Sequence, residues 1–203
     1  MSKRPGESKA PKTSYDIYAP PYFGSRWLGS TISSDPSKLI GRVLRTSLYA
    51  LTDDFSKQYL IINFRIVNVR DQRCETVFYG HEYGREFLRS LVKRGTDKIT
   101  MIFDLKTVDG FHIRVTTMTF TVSKVSRKKR KAIRSIMKGI LEQAASTMTH
   151  DQLAQEMVLG KTASDIYNEV RKIVFPRHVG IVKSKILKLG DLSRVLSVEE
   201  QAA

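Results

Sequence analysis

The chain holds one cysteine, Cys74, among 203 residues. A lone thiol excludes an intrachain disulfide and a cysteine-based zinc site, and says nothing about redox compartment. Hydrophobic runs are short as well. Each is broken within a few positions by a polar or charged residue, which excludes a membrane-spanning helix and the apolar core of a signal peptide. No internal repeat is present, and sequence bias is confined to two basic runs. The scarcest commodity is negative charge. Asp and Glu number 20 against 35 Lys and Arg, for a net charge of +15. Without the seven cations of the densest run the chain would still carry +8, so the excess covers the whole molecule. Such a balance points to a polyanionic partner, of which nucleic acid is the commonest. With 41% hydrophobic residues the chain can build a core, which excludes a disordered basic tail protein.

What is present centres on residues 98–145. Ile99, Met101, Phe103 and Leu105 alternate with Thr100, Asp104 and Lys106, the pattern of a half-buried strand. Asp109-Gly110 predicts a two-residue hairpin turn, with the partner strand starting at Phe111. In that strand the apolar positions change phase, from Phe111, Ile113 and Val115 to Met118, Phe120 and Val122, which predicts a bulge at Thr116-Thr117. The hairpin leads into Lys124, Arg127, Lys128, Lys129, Arg130, Lys131 and Arg134, with no acid among them. Behind these cations Ile133, Ile136, Met137, Ile140, Leu141, Ala144 and Ala145 recur at helical spacing, so one helix carries an apolar stripe and a basic front. A solvated charged face is one reading of the run. Cations this dense repel one another, and the other reading is that a partner supplies the counter-charge.

Residues 1–30 read as a basic and aromatic extended arm, and residues 31–203 as a single α+β RNA-binding domain. Within that domain the sheet core spans about 38–123, and a helical part with a final strand spans about 124–189. Met1 to Thr13 has nothing to bury and is expected to be disordered. Tyr15, Tyr18, Tyr22, Phe23 and Trp27, with Pro20-Pro21, form an arm that either lies on its own domain or offers its rings and Arg26 to RNA. Residues 38–51 and 59–69 read as strands, and 75–79 follows after the turn Asp71-Gln72-Arg73. Residues 85–94 read as a helix closed by Gly95, with Phe87, Leu88, Leu91 and Val92 inward and Arg85, Arg89 and Lys93 along a basic face. Thr149 and Gln152 have capping-box spacing for a short helix ending before Gly160. A second helix over 164–174 is stopped by Pro176, and residues 178–189 form a strand with Lys183 and Lys185 on one face.

Candidate catalytic groups do not assemble. Gly160-Lys161-Thr162 resembles the end of a P-loop, but Gln155 stands where its first glycine belongs. His81-Glu82 lacks the second histidine of a zincin, which would fall at Arg85. Asp104, Asp109 and His112 are close in sequence, as in a metal-dependent nuclease, yet each has a role in a hairpin. No catalytic residue, metal ligand, cofactor or small-molecule substrate is assigned. A non-catalytic ribonucleoprotein component, a free-standing RNA-binding regulator and a nucleic-acid-processing enzyme remain the three readings.

Four blocks narrow them: Tyr15-Asp16-Ile17-Tyr18-Ala19-Pro20; Gly80-His81-Glu82 through Arg94; Asp104 to Phe111 with Arg114 and Phe120-Thr121; and Ile173-Val174-Phe175-Pro176-Arg177-His178. In order and spacing they resemble the archaeal and eukaryotic small-subunit ribosomal protein family eS-one, older name S-three-a, over nearly the whole chain. Two parts depart from that family: the basic N-terminal tail is shorter, and the link between hairpin and basic helix is abbreviated. The resemblance implies an α+β fold, with a mostly antiparallel, β-barrel-like sheet, peripheral helices and a C-terminal helix-strand unit. It also implies a cytoplasmic ribosomal location, with nucleolar assembly if the source is eukaryotic. The expected partners are the small-subunit rRNA, near its 3′ end and the messenger exit, and neighbouring small-subunit ribosomal proteins. The candidate RNA-binding residues are Arg26, Arg85, Arg89, Lys93, Lys124, Arg127, Lys128, Lys129, Arg130, Lys131, Arg134, Lys183 and Lys185.

Overall fold

The long alternating stretch 60–83 folds back on itself around Asp71-Gln72 and forms the backbone of the sheet. A computed structural model describes residues 12–190. Of the tail read as Met1 to Thr13, residues 1–11 lie outside those residues, as do residues 191–203, while Thr13 already belongs to the first strand, where it pairs with Ser33. β4 (Leu60–Arg70) pairs antiparallel with β5 (Arg73–Tyr83), and Leu60, Ile62, Phe64 and Ile66 are buried as their alternation predicts. β3 (Val43–Ser47) extends the sheet beyond β4. The other edge of β5 is shared. Its first residues pair in parallel with β1 (Thr13–Tyr18), which carries β2 (Trp27–Ser33), and residues 80–82 pair antiparallel with β8 (Pro176–Lys188). β8 continues into β7 (His112–Thr121) and β6 (Lys98–Lys106). The described residues thus contain one eight-stranded, mostly antiparallel and open sheet with helices packed against it, an α+β fold. The aromatic arm is extended but built into this sheet. Tyr15 and Ile17 are buried, and Phe23 packs against Phe64 and Phe78.

Where β5 meets β8 the backbones come very close. Gly80 has φ +152°, and a Cβ there would lie 2.2 Å from the Ser184 carbonyl oxygen, so only glycine permits the pairing. Next to it His81 is fully buried. Its Nε2 donates to the Ile181 carbonyl oxygen (2.8 Å), and its Nδ1 accepts from the Ser184 hydroxyl (2.8 Å). Burial depresses its pKa to about 4, although the Ile181 bond favours the proton. The ring is therefore neutral and serves as a polar clasp between two strands.

The hairpin of β6 and β7 differs from expectation in two ways. Its last pair is Lys106 with His112, so residues 107–111 make the turn, with Gly110 at φ +79° and Asp109 outside the positive-φ region. A five-residue connection does not need two positive φ values. Asp109 reaches across to the helical part, where its Oδ2 accepts the His150 backbone N–H (3.0 Å). The register irregularity does fall between Thr116 and Thr117, but in the pairing with β8, whose Val182 is the extra residue. β7 itself pairs with β6 without interruption, so Val115 and Met118 lie on opposite faces. The phase change in the sequence arises because threonines take over the buried face after Val115, while of the even positions only Phe120 is buried. Thr117, Thr119 and Thr121 continue the buried series of Ile113 and Val115, while Phe120 is buried from the other side near His178.

Three helices pack against the sheet. α3 (Arg127–Thr147) buries Ile133, Met137, Leu141 and Ala145, and half-buries Ile136, Ile140 and Ala144, as its stripe predicts. α4 (His150–Leu159) starts with the predicted Thr149/Gln152 capping box and ends at Gly160, φ +94°. α5 (Lys161–Arg171) starts directly from that glycine, three residues before the expected Ser164, and ends before Pro176 is reached. Two further elements need correction. Residues 38–51 are not one strand: a 3-10 turn and Gly41 (φ +89°) precede β3, and the helical turn α1 (Tyr49–Thr52) follows it. α2 (Arg85–Leu91) ends a turn earlier than predicted, and Gly95 belongs to the loop beyond it. Val92 is 53% exposed because the chain has already left the helix.

Candidate nucleic-acid interface

The basic run forms the approach to α3, at Lys124, and its first two turns, and the buried stripe of α3 clamps the helix to β6, α4 and α5. No acid stands in the first turn, and Ser126 at the N-cap makes no side-chain cap, so the positive end of the helix dipole adds to the side-chain charge. Lys124, Arg127, Lys128, Lys129 and Lys131 are exposed, and among the described residues none of them is ion-paired. The other two cations of the run turn back to the sheet. Arg130 donates to the Asp97 carboxylate (2.9 Å) and to the Val125 carbonyl oxygen (2.9 Å), and Arg134 donates to the Thr100 carbonyl oxygen (3.2 Å). Asp97 also accepts the Val125 N–H (2.6 Å), so one half-buried carboxylate fixes both the approach to the helix and its first turn. The front is thus a rigid cluster of five unneutralised cations, held by two that are bound internally.

The remaining candidates separate in the same way. Arg85 and Arg89 on α2, and Lys93 just beyond it, are exposed without an ion pair among the described residues. Their helix is seven residues long and has no fully buried side chain, although Phe87 stacks on Tyr59 (3.8 Å between centroids). Lys185 projects from β8 unpaired among the described residues, while Lys183 meets Glu82 (3.3 Å), which also pairs with Arg45. Arg26 donates to the Leu51 carbonyl oxygen (2.9 Å) and pairs with Asp53 (2.7 Å), so it ties the β1–β2 connection to α1.

Asp104 forms a two-pronged pair with Arg114 across the hairpin (2.7 and 2.9 Å), which holds its carboxyl below the usual range; His112 is not part of that pair. Among the described residues no three His, Cys, Asp or Glu side chains converge to hold a metal. Gly160-Lys161-Thr162 is the predicted helix-to-helix junction, with Lys161 paired to Glu156. Two residues at the edge of the basic run were missed by sequence reasoning. Phe175 and Arg171, far along the chain from the basic run, reach its edge, where Phe175 helps line a groove with Lys124 and Lys129. The exposed Phe before Pro176 was the available signal.

An open antiparallel sheet that clamps an acid-free cationic helix front defines a basic α+β protein suited to a polyanion. The sequence profile of the Ribosomal S3Ae family matches residues 2–190. The chain is 38% identical over 175 residues to "Small ribosomal subunit protein eS1" of Staphylothermus marinus, covering 86% of this chain and 82% of the relative. It is 40% identical to the proteins of the same name from Desulfurococcus amylolyticus, covering 85% of this chain and 81% of the relative, and from Saccharolobus islandicus, covering 87% and 85%. The chain belongs to the Ribosomal S3Ae family.

Proposed function

We propose that the protein is a structural constituent of the small ribosomal subunit, where it serves translation by binding rRNA through Lys and Arg contacts to phosphate. The observation that carries this reading is the family match across residues 2–190. The α3 front supports a mechanism. Arg127, Lys128, Lys129 and Lys131 present unneutralised charge from a rigid helix, and Lys124 from the approach to it, so they can displace counterions from folded RNA without reading base sequence. The buried stripe of α3 and the Asp97 clamp hold these cations in a fixed orientation, which limits the entropy lost on docking. Arg85, Arg89, Lys93 and Lys185 extend the same role to other faces, and A-form RNA can be recognised there through phosphate and 2′-hydroxyl contacts. Placement on the platform near the 3′ end of the rRNA, beside the messenger exit and among neighbouring ribosomal proteins, belongs to the same proposal.

Sedimentation tests it. The protein should co-migrate stoichiometrically with small subunits through a moderate salt wash, whereas a free-standing regulator would remain in the light fractions. Changing Lys124, Arg127, Lys128 and Lys129 together to Gln should leave the melting temperature unchanged and release the protein at lower salt. The slope of log affinity against log salt should fall by about 3, at ~0.7 per lost single-strand phosphate contact.

A further inference from the structure

Beside the α3 front the surface changes character. The end of β7, the start of α3 and the link from α5 to β8 enclose a groove of about 330 Å³. Its apolar wall is Ile173, Val174 and Phe175, and its cationic side is Lys124 and Lys129. Phe175 is 61% exposed although it is a large hydrophobic residue on a short connection, and its neighbour Val122 is 55% exposed. Folding does not require that exposure. The backbone here is already fixed, since the Val122 N–H donates to the Phe175 carbonyl oxygen (3.3 Å) and Pro176 begins β8. The Arg171 guanidinium lies 5.6 Å from the centre of the Phe175 ring, within cation–π range but beyond tight stacking, so a second planar group can share the ring.

We infer that this groove binds one unpaired nucleotide of single-stranded RNA, its base stacked on Phe175 and its flanking phosphates on Lys124 and Lys129. The inference rests on the proposed rRNA-binding role and adds a specific ligand class to it. Three observations select this occupant. The groove volume lies at the small end of the ~300–1,000 Å³ of ligand pockets, enough for a nucleoside and too little for a duplex. An exposed aromatic ring flanked by Lys and Arg has the composition of sites that grip single strands, where the ring takes the base and the cations follow the backbone. Among the described residues no acidic side chain lines the groove, so a phosphate can enter without repulsion and a basic protein segment would find no counter-charge.

The test uses the full-length protein and three probes: a short uridine oligomer, the same oligomer with abasic positions, and a blunt RNA duplex. Phe175→Ala should weaken binding of the uridine oligomer roughly 5- to 150-fold, the range carried by one stacked base, and leave the other two probes unchanged. Phe175→Tyr should restore it. An unchanged melting temperature confirms that the exposed ring is not needed for folding. The inference is overturned if the wild type does not bind the oligomer, or if the Ala variant loses nothing or loses equally on all three probes. Lys124→Gln with Lys129→Gln should weaken all three. Failure of that double variant counts against phosphate binding by the α3 front, whatever happens at Phe175.

Discussion

The β5–β8 seam and the front of α3 follow opposite rules. On the inward side of the seam the polar groups are buried, neutral and satisfied: the His81 ring uses both nitrogens, Ser184 both donates and accepts, and Gly80 lets the backbones touch. At the α3 front five cations are exposed, charged and unpaired among the described residues, and the carboxylate beside them, Asp97, is used to hold Arg130. A buried polar group without a partner costs more than the bond it would make, so the seam tolerates no vacancy. An exposed cation keeps its hydration and costs little until a polyanion arrives. Stability and binding are therefore located in different places, and substitutions should separate them.

The largest expected effect is in the seam. Gly80→Val introduces a Cβ into the Ser184 carbonyl at a φ that β-branched residues avoid, and should destabilise by about 3 kcal/mol or more through overpacking and backbone strain. Urea unfolding measures this. A normal midpoint would show that the strands can separate at no cost, and the contrast between the two regions would lose its structural half.

A smaller effect should come with acid. An unfolded His81 binds a proton below about pH 6.5. The folded residue does so only near pH 4, because burial opposes the charge. Between these values the unfolded state holds more protons, so stability falls as pH drops from 6.5 to 4 and levels off below, by about 3 kcal/mol at most. His178, whose pKa is also lowered by burial, acts in the same direction. His81→Gln should therefore flatten the pH dependence of the urea midpoint in part. An identical pH profile in wild type and variant would mean that the ring is not held neutral.

The smallest effect concerns α2 and sharpens the other half of the comparison. Arg85, Arg89 and Lys93 changed together to Gln should alter stability by no more than about 1 kcal/mol, since exposed charges contribute little. If all three touch phosphate, the salt slope of RNA binding should fall by about 2, less than at the α3 front. A slope unchanged by the triple variant, with normal incorporation into small subunits, would confine the interface to the rigid helix and exclude the short one.

Much of the fold was legible because its signals are local. The alternation of Leu60, Ile62, Phe64 and Ile66, the stripe from Ile133 to Ala145, and the Thr149/Gln152 box with Gly160 each depend on residues within a turn or a strand of one another. The differences arose where another segment set the environment. Threonines on the buried face of β7, with Phe120 alone buried opposite them, read as a bulge, and the end of α2 was overextended because Val92 suggested a stripe that it leaves exposed. The basic run was visible as a run, but its division was not. Whether a cation stays free depends on Asp97, 33 residues before Arg130, and on the Thr100 carbonyl presented by β6.

The sequence by itself determined that the chain carries a large unbalanced positive charge, that most of its strands and helices lie where period and capping place them, and that it resembles one family over nearly the whole chain. These properties are set by composition and by neighbours along the chain. Tertiary structure decided which strand β8 joins at each point, that Gly80 and His81 form a seam, that Arg26 and Arg130 are internal ties, and that Phe175 stands beside Lys124 and Lys129. The physical reason is that pairing and ion-pair choice between distant segments are settled by burial and register across the whole sheet, which no local pattern encodes.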